Sequence, residues 1–87
     1  MAEKSKTKDE LFMLRLYEEA SKQPDIETPV DRYRIGELAG LQERAVNAIC
    51  HLLIQANFIR KEGSELISIT PHGIKLVLQI KSFSGKS

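Results

Sequence analysis

The sequence predicts a mainly α-helical protein with one small β-hairpin, in the order helix, helix, helix, hairpin, helix. Three observations predict this α+β class. Apolar residues recur at helical spacing in three segments, which indicates helices with one buried face. Gly40 provides a turn between the second and third helical segments. Two short runs of branched and aromatic residues flank Gly63-Ser64, which is a hairpin signal.

The first helix is predicted to begin with a capping box. Thr7 and Glu10 have the required spacing, in which each side chain binds the backbone N–H of the other residue. The helix should continue to about Gln23, because Pro24 disfavours helical backbone in the residue before it. Residues 24–30 contain two prolines among polar residues, so we expect an irregular linker there.

The second helix is predicted to be short. Asp31 can serve as its N-cap, and Gly40 supplies the turn that follows its end near Ala39. An alternative is that Tyr33 and Arg34 pair briefly as a strand.

The third helix is predicted from Gln42 to about Asn57 and has the clearest amphipathic pattern. Its core-facing positions are Val46, Ile49, Cys50 and Leu53.

The hairpin strands are predicted at residues 58–62 and 65–70, joined by a two-residue type II′ turn at Gly63-Ser64. The last helix follows, with Thr70 as its N-cap and Pro71 in its first turn.

Length and composition indicate one small domain. The chain has 87 residues, of which 29% are charged, and a formal net charge of +1. We expect the domain to span residues 7–82, between disordered tails at residues 1–6 and 83–87. The single cysteine excludes an internal disulfide, and no apolar run is long enough for a membrane span. These features predict a cytoplasmic protein that does not act at a membrane.

Charge is distributed unevenly along the chain. Counting Lys and Arg against Asp and Glu, residues 9–31 carry −5 and residues 32–61 carry +3. A polyanion would be repelled by the first block and attracted by the second. The alternative is that the difference only reflects an uneven solvated surface.

Several short segments match one family in order and spacing. Ile35-Gly36 falls on the second helix, Gly40-Leu41 on the turn, and Asn57-Phe58-Ile59 where the chain leaves the third helix. Ile69-Thr70-Pro71-His72-Gly73 is similar to a Leu-Thr-Pro-x-Gly signature that opens the last helix. With the buried positions of the third helix, these matches resemble winged helix-turn-helix domains, broadly those of MarR-like small transcriptional regulators.

The resemblance implies binding of double-stranded DNA, with the third helix in the major groove and its outward residues contacting bases. Cationic residues of the second helix and of the hairpin would then contact phosphates. The candidate DNA-binding residues are Arg32, Arg34, Arg44, Asn47, His51, Gln55, Arg60 and Lys61. The expected role is transcriptional regulation. The alternative is a winged-helix protein-interaction module that does not bind DNA.

The first and last helices have apolar arcs wider than one small core requires. The excess predicts a partner surface, and the resemblance implies a homodimer formed by these two helices. A tightly packed monomer with some exposed leucines is the alternative. The candidate interface residues are Leu11, Leu14, Leu76, Ile80 and Phe83.

No catalytic or cofactor-binding pattern competes with this interpretation. Cys50 is predicted to be a small buried side chain without a second cysteine. His51 and His72 do not lie at metal-ligand spacing with cysteines or carboxylates. We therefore expect no metal, no cofactor and no enzymatic activity.

Overall fold

Within residues 7–85, four helices and three short strands form an α+β fold. The structure, a computed structural model, describes residues 7–85, with side chains described through residue 82. The elements are α1 (Lys8–Ser21), β1 (Val30–Asp31), α2 (Arg32–Leu38), α3 (Glu43–Gln55), β2 (Ile59–Lys61), β3 (Leu66–Ile69) and α4 (Pro71–Gly85). The predicted order of helices and hairpin is confirmed, and β1 is an additional strand.

Helix α1 lies at the centre of the fold. Its predicted capping box is confirmed, since Glu10 N–H donates to Thr7 Oγ1 at 3.3 Å and Thr7 N–H donates to Glu10 Oε1 at 2.9 Å. The helix ends at Ser21, two residues before the predicted end. It packs against α2, α3, α4 and β3. Its fully buried residues are Phe12, Met13, Leu16 and Ala20.

The sheet has three antiparallel strands in the order β1-β3-β2. Strand β1 begins in the segment that the sequence predicted as an irregular linker, and that prediction is wrong for its last residue. Val30 pairs with Ile67 and Asp31 pairs with Leu66. The partner residues lie far along the chain, so a local pattern could not reveal this strand. The alternative strand at Tyr33 and Arg34 is also wrong, because both residues lie in α2.

The β2–β3 connection has one residue more than predicted. Lys61 pairs with Ile67, and Glu62 N–H donates to the Leu66 carbonyl at 2.8 Å, which leaves residues 63–65 as the loop. The predicted two-residue turn is therefore wrong. The Glu65 carbonyl instead accepts a hydrogen bond from the Arg32 N–H at 3.0 Å, which extends the β1–β3 ladder.

Helices α2 and α3 are joined by a tight turn. Asp31 caps α2, because its Oδ1 accepts from the Tyr33 N–H at 2.9 Å. Gly40 has φ = +76°, a conformation that favours glycine. A Cβ on Gly36 would overlap Val46 Cγ2, so this glycine permits the close approach of α2 and α3.

The backbone conformation at the end of α3 favours asparagine at position 57. Asn57 adopts φ = +66°, and asparagine tolerates this left-handed conformation better than most residues. Its N–H donates to the Ile54 carbonyl at 3.0 Å, and Phe58 N–H donates to the Leu53 carbonyl at 2.9 Å. These two bonds form a Schellman motif, which ends the helix and directs the chain into β2.

Helix α4 begins as predicted. Thr70 Oγ1 accepts from Gly73 N–H at 3.0 Å and donates to the Asn57 carbonyl at 2.7 Å, which ties the start of α4 to the end of α3. A Cβ on Gly73 would overlap the Phe58 carbonyl oxygen, so only glycine fits there without a shift. The helix continues to Gly85, three residues beyond the predicted end of the domain.

The four predicted core positions of α3 are confirmed as buried. They join residues of all four helices and of β2 and β3 in one apolar cluster. Within residues 7–85, none of the helices combines the length and the apolar character that crossing a membrane requires.

Candidate nucleic-acid interface

The side of α3 that faces away from the core carries four of the candidate residues. Arg44, Asn47, His51 and Gln55 are all exposed, whereas the opposite side of the helix is buried. The same 3.6-residue period that buries Val46 and Cys50 turns these side chains outward. The structure therefore brings the predicted base-contacting residues together on one accessible face.

Asn47 is held by a residue that sequence reasoning did not select. The Tyr33 hydroxyl donates to Asn47 Oδ1 at 2.9 Å, which connects α2 to the outer face of α3. The bond restricts the Asn47 side chain before any ligand binds. No local pattern indicates it, since the two residues are 14 positions apart and belong to different helices.

Of the two arginines of α2, only one is exposed. Arg34 is exposed, in agreement with a possible phosphate contact. Arg32 is only 8% exposed. Its Nη2 donates to the Ser64 carbonyl at 3.2 Å and its Nε to the Glu65 carbonyl at 3.4 Å. Arg32 therefore serves the contact between α2 and the hairpin loop, and we remove it from the candidate phosphate-binding residues.

The two hairpin cations do not form one patch. Arg60 and Lys61 are both exposed, but they are consecutive in β2 and so point to opposite faces of the sheet. Lys61 pairs with Ile67, whose side chain is in the core, and Arg60 pairs with Ser68 on the other face. A duplex lying against one face of the hairpin would contact one of these cations more directly than the other.

Where side chains are described, the cations of the candidate interface have no carboxylate partner within 4 Å. Among the described side chains, the ion pairs within 4 Å are Arg15–Glu18 and Lys22–Glu19, both at α1 and its end. Arg34, Arg44, Arg60 and Lys61 take part in neither pair, so their charge is available to a ligand. Glu43 in the first turn of α3 opposes this, because it places a negative charge close to Arg44.

The start of α3 departs from the pattern of the winged-helix domains that the sequence resembles. Gln42 is the N-cap residue, where winged-helix domains usually have Ser or Thr, and its side chain makes no capping hydrogen bond. The first turn of α3 therefore has backbone N–H groups without a side-chain acceptor. Such groups can donate to a phosphate that approaches this end of the helix.

An exposed leucine lies beside the polar face of α3. Leu52 is 60% exposed, on the side of the helix that also carries Ala45 and Ala48. The sequence reasoning did not select it, although its position about 240° around the helix from Val46 follows from the helical period. The outer surface of α3 therefore combines a polar half with an apolar half.

The predicted dimer surface is mostly covered within the single chain. Ile80 is 8% exposed, and Leu14 and Leu76 are partly buried against the core. Leu11 is the one predicted residue found exposed, at 37%, and the Phe83 side chain lies outside the described residues. The apolar excess on α1 and α4 is thus smaller than the sequence pattern suggested, because α1 packs against several elements at once.

Cys50 is buried, and His72 stacks on an aromatic ring. Burial raises the pKa of the Cys50 thiol to about 11, although the nearby Arg32 charge acts in the opposite direction. The thiol is therefore protonated at neutral pH and unreactive. His72 stacks on Phe58 with ring centroids 4.7 Å apart. In the part of the chain that the structure describes, no three His, Cys, Asp or Glu side chains could hold a metal ion together.

Comparison with known proteins does not assign the chain to a family. No protein-family model matches the sequence, and no curated protein matches it significantly. The fold and the surface of α3 therefore carry the functional inference.

Proposed function

We propose that this protein is a winged-helix DNA-binding protein that acts as a transcriptional regulator. In this proposal α3 enters the major groove of double-stranded DNA, and the β2–β3 hairpin is the wing that contacts the backbone. The order of four helices and a three-stranded antiparallel sheet is compatible with that architecture. The short α2, the turn at Gly40 and the close crossing with α3 supply the helix-turn-helix.

The observation that carries the proposal is the outer face of α3. Its polar side chains are exposed, and its arginine lacks an ion-pair partner among the described residues. Arg44 can donate two hydrogen bonds to guanine, and the amide of Gln55 can make a two-point contact with adenine. Asn47 shares its Oδ1 with Tyr33, so it would present its amide in one fixed orientation.

The experiment is a titration with mixed-sequence duplex DNA at several salt concentrations. We compare the intact protein with an Arg44→Ala/Arg60→Ala double variant. Each phosphate contact contributes about −0.9 to the slope of log affinity against log salt concentration. The intact protein is expected to bind in a salt-dependent manner, and the double variant to bind more weakly with a slope shallower by about 1, because Arg60 is assigned to a phosphate and Arg44 to a base.

A matched control separates a local effect from a general loss of charge. Arg15→Ala/Lys75→Ala removes the same number of positive charges from α1 and α4, where both side chains are exposed. This control should retain most of the affinity. No binding by the intact protein at low salt would refute the proposed function, and an equal loss in both double variants would refute its assignment to α3 and the hairpin.

The proposal includes a homodimer formed through α1 and α4. Its support is the exposed part of Leu11, together with Leu78, which is 50% exposed on α4. A two-fold dimer would present two α3 helices to half-sites about one helical turn apart. Light scattering at high micromolar concentration should give twice the mass of the chain. Leu11→Glu should lower this measured mass. A monomer under these conditions would remove the dimer from the proposal.

A second candidate function is binding of another protein without DNA. The observation in its favour is Leu52, whose exposed apolar side chain lies on α3 itself. Apolar surface in the centre of a polar rim is typical of protein interfaces. The DNA titration distinguishes the two functions, since a protein-binding α3 predicts no salt-dependent affinity for duplex DNA.

A further inference from the structure

Arg32 is the one charged side chain that is buried among the described residues. A buried cation is usually paired with a carboxylate, because desolvation of the charge is costly. Within the described part of the chain Arg32 has no carboxylate within 4 Å, and its guanidinium instead donates to the carbonyls of Ser64 and Glu65. The arrangement therefore binds a loop backbone and does not neutralise another charge.

The two carbonyls belong to the loop at the tip of the β2–β3 hairpin. The Arg32 backbone N–H also donates to the Glu65 carbonyl at 3.0 Å. Arg32 is the first residue of α2, and Asp31 before it is both the N-cap of that helix and a member of the sheet. One residue thus attaches the start of α2 to the hairpin loop through backbone and side chain.

The opposite end of the hairpin is attached to α3. The Schellman motif at Asn57 leads directly into β2. Thr70, which directly follows β3, donates from its Oγ1 to the Asn57 carbonyl. Helix α2 in turn packs closely on α3 at Gly36. The hairpin is therefore held to the α2–α3 unit at its base and near its tip, where the β1–β3 ladder is supplemented by the Arg32 side chain.

We propose that Arg32 is a positioning residue that sets the angle of the hairpin relative to α3, so that the hairpin cations and the outer face of α3 can contact one duplex together. This inference rests on the proposed DNA-binding function. Arg32 itself does not touch DNA. It acts through whichever hairpin cation faces the duplex, since Arg60 and Lys61 lie on opposite faces of β2 and both move with the hairpin.

The shape of the side chain accounts for arginine at this position. A guanidinium has donors in a planar fork and can reach two successive carbonyls, whereas a lysine ammonium is a single point charge. Arg32→Lys keeps the net charge of the protein but loses the fork. Any change in the salt dependence of DNA binding by this variant must therefore come from the placement of other charges.

The test measures the salt slope of mixed-duplex binding for the intact protein, Arg32→Lys, Arg60→Ala/Lys61→Ala and the triple variant. Arg32→Lys should make the slope shallower by about 1, and Arg60→Ala/Lys61→Ala by about 1 to 2. The triple variant should show the same slope as Arg60→Ala/Lys61→Ala, because without hairpin cations the hairpin angle no longer matters. Arg15→Lys is the matched control on the exposed side of α1, outside the proposed interface, and its slope should stay unchanged.

The possible outcomes distinguish this inference from the proposed function. An intact protein that does not bind DNA overturns both. An intact protein that binds, with a folded Arg32→Lys variant of unchanged slope, overturns the positioning role alone. A triple variant whose slope changes by the sum of the two separate changes also overturns the positioning role alone.

A measurement on the intact protein covers the case in which Arg32→Lys does not fold. Backbone ¹⁵N relaxation should give order parameters for residues 63–66 near the rigid value of about 0.85. Values below about 0.6 would mean a mobile loop, which a positioning contact excludes.

Discussion

The surface of α3 and the surface formed by α1 and α4 differ in what remains exposed after folding. On α1 and α4 the sequence shows an excess of apolar residues, yet Ile80 is buried and Leu14 and Leu76 are partly covered. On α3 the predicted polar residues are all exposed. The difference shows that a wide apolar arc can belong to a helix packed on several sides, whereas a polar arc opposite the core stays accessible.

The contacts of α1 explain this difference. Helix α1 touches three other helices and β3, so its buried and half-buried side chains together span more than half of its circumference. Helix α3 touches α1, α2 and β2, all on its core side. A partner-binding surface is therefore easier to infer from exposed polar residues of α3 than from the apolar excess of α1.

The largest expected effect compares two leucines from the α1–α4 region. Leu16 of α1 is fully buried and Leu78 of α4 is half exposed. Leu16→Ala should lower the free energy of unfolding by about 2 to 5 kcal/mol, because it leaves a cavity in the core. Leu78→Ala should lower it by less than about 1 kcal/mol. Urea denaturation measures both, and similar losses would contradict the assignment of Leu78 to the surface.

The next effect concerns the contact between α2 and α3, which supports the outer face of α3. Gly36→Ala should lower the free energy of unfolding by about 1 to 3 kcal/mol, because the added methyl group meets the Val46 side chain. In the double variant with Val46→Ala, space is available, so the two changes should cost less together than their sum. Additive losses in thermal or urea denaturation would mean that this close approach does not exist.

A smaller effect tests the hydrogen bond between α2 and the outer face of α3. Asn47→Ala should weaken binding to a duplex selected from a random pool by about 1 to 3 kcal/mol. Tyr33→Phe should weaken it less and relax preference at the same base pair, since it only releases the Asn47 amide. Stability should change by less than about 0.5 kcal/mol, because this hydrogen bond is exposed. If the two variants changed the preference at different base pairs, the result would contradict a role of Tyr33 in orienting Asn47.

The effect that is smallest at neutral pH is a pH dependence that originates in the core. The folded-state pKa of Cys50 is raised by burial from 9.0 to about 11. Between these values the unfolded chain releases the thiol proton more readily than the folded chain, so stability should fall as pH rises from 9 towards 11. Cys50→Ala removes this contribution, and the difference between the two denaturation profiles isolates it. A stability difference between the intact protein and Cys50→Ala that grows below pH 8 would contradict the assignment to the Cys50 thiol.

The parts of the fold that sequence reasoning predicted correctly are those that depend on neighbouring residues. The Thr7–Glu10 capping box, the Asp31 cap and the Thr70 cap each act within three positions along the chain. The buried side of α3 follows from one helical period. Strand β1 was missed because its partner strand lies more than 30 residues away.

The same distinction applies to the candidate site. The exposed residues of α3 were predicted correctly, since the helical period alone turns them away from Val46. Arg32 was misassigned because its carbonyl partners lie more than 30 residues along the chain. Leu52 and Tyr33 were overlooked, the first because its position favours no single function and the second because its partner belongs to another helix.

The most direct test of the account is a map of backbone amide chemical shifts during titration with a mixed-sequence duplex. Under the proposed function, the largest changes should occur between Arg44 and Gln55 and in β2. Amides of α1 and of α4 after its first turn should change little. Changes centred on Leu11 and Leu78 would place DNA on the other surface, and no change at low salt would contradict DNA binding altogether.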